Sequence, residues 1–124
     1  VTAKEFVGIY LKVAQASRAV CMLADYLVEL TLQEYAFLNW APSKIAASAV
    51  VLALSTSPIP CWSDTLMHFT QYQPHMLNDC LREMHRVFLN APHSNLQAVR
   101  EKYSHTRFMC ISVVARLPPT PPVF

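Results

Sequence analysis

An all-α bundle packed around one buried helix, followed by a short terminal helix and a proline-rich tail, is the fold this sequence predicts. Three observations carry it. The 124 residues include a single glycine, Gly8, whereas tight hairpin turns and bulges call for residues that tolerate positive φ. Nine prolines divide the chain into pieces of helix length, and proline is accepted at a helix start but not in its interior. Between these breaks the apolar residues recur at intervals of three and four. The length suits one domain, and a hydrophobic fraction of 53% excludes wholesale disorder.

Taken in order, the first helix is read from Phe6, Ile9, Tyr10 and Val13, and the second from Leu23, Tyr26, Leu27 and Leu30, one apolar stripe each. The third begins at Pro42, and from Ile45 to Leu54 it carries no charge at all. A helix apolar all round must be surrounded, and its alanines and serine let neighbours approach closely, so this is the predicted centre. Ser63 is a plausible N-cap for a short helix to about Thr70, with Trp62 as its anchor. After Gln73, the positions Met76, Leu77, Cys80, Leu81, Met84, Val87 and Phe88 face one way and Asp79, Arg82, Glu83 and Arg86 the other, which predicts the longest amphipathic helix. A short helix capped by Ser94 runs to about Tyr103, and Pro118 to Phe124 form an extended tail. The count is five main helices and one short terminal one.

Charged residues make up only 15%, so part of the surface is expected to be covered by other protein. A net charge of +2 is too weak for a dedicated nucleic-acid binder; the nearest thing is Arg100, Lys102, His105, Arg107 and Arg116, read as a solvated helix end and tail. Cys21, Cys61, Cys80 and Cys110 show no metal-ligand spacing and are expected as buried, reduced thiols in an intracellular protein. No signal peptide or membrane span is evident, and a chain beginning at Val rather than Met is expected to have lost or lack an upstream region.

Candidate chemistry is sparse. Ser63, Asp64 and His68 contain the residue types of a hydrolase triad, yet they crowd one short helix, where capping and helix-end charge explain them better. Glu83 and His85 lie two apart and do not share a face, and Cys80 with His85 is out of phase for a metal. One glycine cannot build a phosphate loop. Trp40, Trp62, Phe69, Tyr72 and Phe88 are expected in the core rather than in a stacking pocket. No cofactor, metal or catalytic residue is assigned. Ser57-Pro58 and Thr120-Pro121 have the minimal form of proline-directed phosphorylation sites, and Pro118 with Pro121 has P-x-x-P spacing; both patterns are short and frequent by chance, and a solvent-exposed loop and tail is the better reading of them.

Several segments in order carry a family resemblance. Asp25-Tyr26-Leu27-Val28-Glu29-Leu30-Thr31-Leu32, Phe37-Leu38 and Pro42-Ser43-Lys44-Ile45-Ala46-Ala47-Ser48-Ala49-Val50-Val51-Leu52-Ala53 resemble the Y-L-x-E-L-(S/T)-L and P-S-x-I-A-A-A-A-x-x-L-A pattern of the second cyclin box. Trp62, Leu66 and His68-Phe69-Thr70 resemble its W-x-x-x-L and T-G-Y segments, with Gln71 where the family has Gly. Ala98-Val99-Arg100-Glu101-Lys102-Tyr103 resembles its late A-x-R-E-K-Y, and Thr2-Ala3-Lys4-Glu5-Phe6 is similar to the opening of that lobe in A-type, especially plant-like, mitotic cyclins.

The resemblance implies a five-helix cyclin fold centred on the Pro42 helix, with residues 1–117 as the C-terminal cyclin domain and 118–124 outside it. It further implies a non-catalytic subunit that supports binding and activation of a cyclin-dependent protein kinase in cell-cycle control, in the nucleus and also the cytoplasm. An N-terminal cyclin box, absent from this chain, would be its companion. That box supplies most kinase contacts and the substrate-docking M-R-A-I-L segment, which does not occur here, so no kinase-contacting residue is assigned. The residues carried over are scaffold: Tyr26, Glu29, Leu30, Pro42, Ser43, Ala46, Ala47, Trp62, Leu66, Arg100, Lys102 and Tyr103. Two other classes remain open, a cyclin-fold nucleic-acid or transcription-associated module resting on the basic C-terminal residues, and a small helical enzyme resting on the Ser63 trio.

Overall fold

A computed structural model describes residues 2–122 and 124 and is helical, with no strand among the described residues. The helices are α1 (Ala3–Ala14), α2 (Arg18–Thr31), α3 (Pro42–Leu54), α4 (Asp64–Thr70), α5 (Asn78–Asn90), α6 (Ala98–Lys102) and α7 (Ile111–Val114), with short 3-10 turns between several of them. Thr2, Ser17 and Ser63 each accept a backbone N–H through the side-chain oxygen, from Glu5, Val20 and Leu66 respectively. These hydroxyls satisfy donors that a helix start otherwise leaves unpaired.

At the centre is α3. Every residue from Ile45 to Leu54 is buried, because α1, α2 and α5 pack on different sides of it. Pro42 occupies its first turn, where no N–H is needed. The one polar side chain in the buried run, Ser48, donates to the Lys44 carbonyl at 2.9 Å. At the other end the hydroxyls of Ser55, Thr56 and Ser57 donate to the carbonyls of Leu52, Ala53 and Leu54. A run of three small hydroxyl residues thus closes a helix end that has no glycine to cap it. Around this hub, α4 rests on α1, while α6 and α7 rest on α2.

The structure revises several expectations. In α1 the fully buried residues are Val7, Tyr10 and Leu11, and Ile9 stands 45% exposed, so the stripe is rotated towards α3. The longest helix is α2, with 14 residues, against 13 for α5, whose predicted first turn at Met76 and Leu77 is a separate 3-10 turn set by Pro74. Ser94 does not cap a helix: its hydroxyl accepts from Leu96 N–H within the loop, and α6 starts only at Ala98. A further short helix, α7, escaped the sequence pattern, because four residues are too few to show a period. Phe69 is exposed rather than core, touching the edge of Tyr10 at its rim. The tail is extended with a bend at Pro119 and Thr120, and Val123 lies outside the described residues.

Gln71 closes α4 at φ 65°, a left-handed conformation, and donates its own amide to the His68 carbonyl. The backbone has therefore kept the turn that glycine makes without strain, with a side chain in place. Gln71→Gly is expected to raise stability by about 1 kcal/mol, read as a higher thermal midpoint; an unchanged or lower midpoint would contradict the strain. Ala47→Asp places an unpaired carboxylate at a fully buried site. Its cost of several kcal/mol against a total of roughly 5–15 should abolish the cooperative melt followed by circular dichroism.

Candidate functional site

Two places on this scaffold do more than fill space. The first is built on Glu29, near the end of α2. Its carboxylate accepts from Lys4 Nζ of α1 at 3.2 Å, from Lys102 Nζ of α6 at 3.0 Å, and from the Tyr103 hydroxyl. Groups from α1 and from the end of α6, the latter as far as 74 residues along the chain, are thereby tied to one side chain of α2. The Tyr103 ring is buried beneath, tilted against Tyr26 with centroids 5.4 Å apart and against Phe108 at 4.7 Å. Burial by itself would raise the Glu29 carboxyl, but the Tyr103 hydroxyl and the two ammonium groups outweigh it and hold the group below the ordinary range. Burial, and then the Glu29 carboxylate, push the Tyr103 phenol far up, so it remains a donor.

The second place is an apolar face at the end of α2. Leu32 is 75% exposed, Tyr35 90% and Leu38 81%. With the exposed Leu96 they line a surface cavity of about 480 Å³, floored by the buried Phe37 and edged by Glu34. Leu32, Tyr35 and Leu38 fall every third residue, and a 3-10 turn over Tyr35–Asn39 brings such positions to one side. Leu32, Tyr35 and Leu38 are the three most exposed large hydrophobic side chains among the described residues. The sequence reading did not single out this face; the signal available to it was the interval of three.

Comparison with known proteins bears on both places. A profile described as "Cyclin, C-terminal domain" matches residues 1–117. The chain belongs to the cyclin C-terminal domain family. It is 44% identical over 117 residues to Cyclin-A1-2 of Oryza sativa subsp. japonica, covering 87% of this chain and 24% of that protein. It is 42% identical over 119 residues to Cyclin-A2-2 of Arabidopsis thaliana, covering 90% of this chain and 27% of that protein. G2/mitotic-specific cyclin-B of Marthasterias glacialis is 43% identical over 96 residues, covering 77% and 25%. The chain thus spans about a quarter of the length of these curated relatives.

In this cyclin domain the motif residues fall into three groups. Tyr26, Glu29, Lys102 and Tyr103 meet in the clamp, with Arg100 near enough for its charge to offset part of the rise that burial imposes on the Tyr26 phenol. Ser43 and Trp62 meet at Tyr72: its hydroxyl lies 2.8 Å from Ser43 Oγ, and its carbonyl accepts from Trp62 Nε1 at 2.9 Å. Leu30, Ala46, Ala47 and Leu66 are core, and Pro42 starts α3. The structure brings none of the twelve to the apolar face.

The remaining candidates disperse. Ser63 is occupied as a cap, and His68 is exposed on the same short helix. Glu83 binds Arg86, while His85 is buried and paired with the Pro118 carbonyl at 2.7 Å. Burial pushes the Cys80 thiol up to about 11, so it is neither a nucleophile nor a ready ligand at neutral pH. No cluster of three metal-ligating side chains occurs among the described residues. The basic residues do not form one free face: Lys102 is committed to Glu29, Arg107 stacks on Phe108 with its guanidinium carbon 4.8 Å from the ring centroid, and Arg116 donates to the Val113 and Ala115 carbonyls.

Because the folded-state pKa of Glu29 is depressed, the clamp contributes stability above the unfolded value near 4.5 and loses it as pH falls through the folded value. Glu29→Gln should therefore cost about 1.5–3 kcal/mol at pH 7, the range for hydrogen bonds to a charged group. That gap should narrow in denaturant titrations taken below pH 4.5. A gap that stays constant with pH would remove the carboxylate charge from the explanation.

Proposed function

We propose that this chain is the C-terminal lobe of a cyclin regulatory subunit that supports the binding and activation of a cyclin-dependent protein kinase, acting in the nucleus and without catalytic activity of its own. Cell-cycle cyclins of the A and B types are its relatives over nearly the whole domain. The observation that supports a supporting role is the face of Leu32, Tyr35, Leu38 and Leu96, an apolar surface on an otherwise well-packed domain. The lobe's contribution is mechanical. Its core is closely packed, the Glu29 clamp ties the end of α6 to α1 and α2, and the exposed face is presented on that frame.

Kinase activation by the chain alone, compared with the chain fused to an N-terminal cyclin box, tests this function. Activity from the fusion only is the expected result. If neither binds the kinase while the chain binds DNA with steep salt dependence, the nucleic-acid alternative takes its place. The isolated chain is also expected to self-associate and bind a hydrophobic dye. Leu38→Asp should suppress both with little change in melting temperature, since the side chain is 81% exposed. Light scattering that shows the same self-association in the variant would remove this face from the account.

A further inference from the structure

The tail is not free. After α7 it turns back over α5, and three hydrogen bonds hold it there. His85 Nε2 pairs with the Pro118 carbonyl at 2.7 Å, so that nitrogen carries the proton and donates. Asn78 grips the far end in both directions, its amide donating to the Phe124 carbonyl at 2.9 Å and its oxygen accepting from Phe124 N–H at 3.2 Å. Leu117 and Pro118 at the first anchor and Pro121 and Pro122 before the second are partly buried, whereas the bend at Pro119 and Thr120 stands out in solvent. Both anchors hold backbone atoms of the tail, and neither engages the hydroxyl of Thr120.

Of the two Ser/Thr-Pro sites, the structure separates one sharply from the other. Ser57 Oγ donates to the Leu54 carbonyl at 2.9 Å and accepts from Ile59 N–H at 3.3 Å, just beyond the end of α3. A phosphate there would break the closure of the central helix and face the negative end of its dipole. Thr120 is exposed, flanked by prolines in non-helical backbone, and its hydroxyl makes no hydrogen bond among the described residues. On α5, Asn78, Arg82 and His85 lie at intervals of four and three and share the edge along which the tail is anchored. Arg82 is exposed and in no ion pair among the described residues. The helix's carboxylates are turned further round and already engaged, Asp79 with Lys44 and Glu83 with Arg86.

We propose that Thr120 is the phosphoacceptor of a proline-directed protein kinase and that Arg82 receives the phosphate, fastening the tail to α5. The γ-phosphoryl group of ATP passes to Thr120 Oγ1. A new P–O bond forms, the bond from the γ-phosphorus to the bridging oxygen breaks, ADP leaves, and the hydroxyl proton goes to the modifying kinase's base. The product carries about −1.5 to −2 charge at pH 7 and three strong acceptor oxygens, which suit a guanidinium. This inference is independent of the kinase partnership proposed above.

The test uses the full chain, a purified proline-directed Ser/Thr kinase, ATP and magnesium, with the site mapped by mass spectrometry. One phosphate on Thr120 is expected in the native chain and in Ser57→Ala, and none at that site in Thr120→Ala. Absence of modification at Thr120, or preference for Ser57, overturns the acceptor assignment. Hydrogen exchange of the Phe124 amide then reads the tail. It should slow several-fold on phosphorylation of the native chain, and Arg82→Ala should be phosphorylated equally well without that slowing. No slowing in the native chain, or the same slowing in Arg82→Ala, overturns the role of Arg82.

Discussion

A helix with no polar side to show to water imposes its demand on everything around it. From Ile45 to Leu54 α3 is fully enclosed, and no neighbour could be removed without exposing apolar surface. The small side chains of Ala46, Ala47, Ser48 and Ala49 allow close approach, so α1, α2 and α5 can all reach it at once. Both ends of the helix are therefore settled locally. Proline starts it without an N–H to lose, and three hydroxyls close it without a glycine.

Enclosure fixes α1, α2 and α5, but the chain beyond α5 touches the hub little and must be held another way. Glu29 does this electrostatically. Its carboxylate collects Lys4, Lys102 and the Tyr103 hydroxyl, so the late helices are tied to the early ones by charge-assisted hydrogen bonds over an aromatic base. The tail is held more weakly, by neutral hydrogen bonds to His85 and Asn78. The domain thus grades from an apolar centre through a charged clamp to a polar latch. Where a cyclin lobe must keep its shape and where it can respond are different places in that gradation.

Much of this architecture was legible in the residues. The charge-free run after Lys44, the N-cap Ser63 and the periodic face of α5 each state a local physical preference strongly enough to be read alone. Boundaries near Ser94 and Met109 were not, because short helical turns carry no period and are decided by what they pack against. Gln71 shows the opposite case: the turn is left-handed although the side chain disfavours it, and the hydrogen bond from Trp62 to the Tyr72 carbonyl holds the chain just beyond it.

The sites divide in the same way. Sequence alone determined the fold class, the buried centre and the likeness to cyclins, because these depend on composition, spacing and neighbours along the chain. Only the tertiary structure decided that Glu29 meets Lys102 and Tyr103, that Leu32, Tyr35 and Leu38 face solvent while Phe37 does not, and that the tail lies along α5 with Thr120 outward. A hydrophobic or charged residue has the same local signature whether it is covered or bare. What covers it comes from residues tens of positions away, and that pairing is settled by packing in three dimensions.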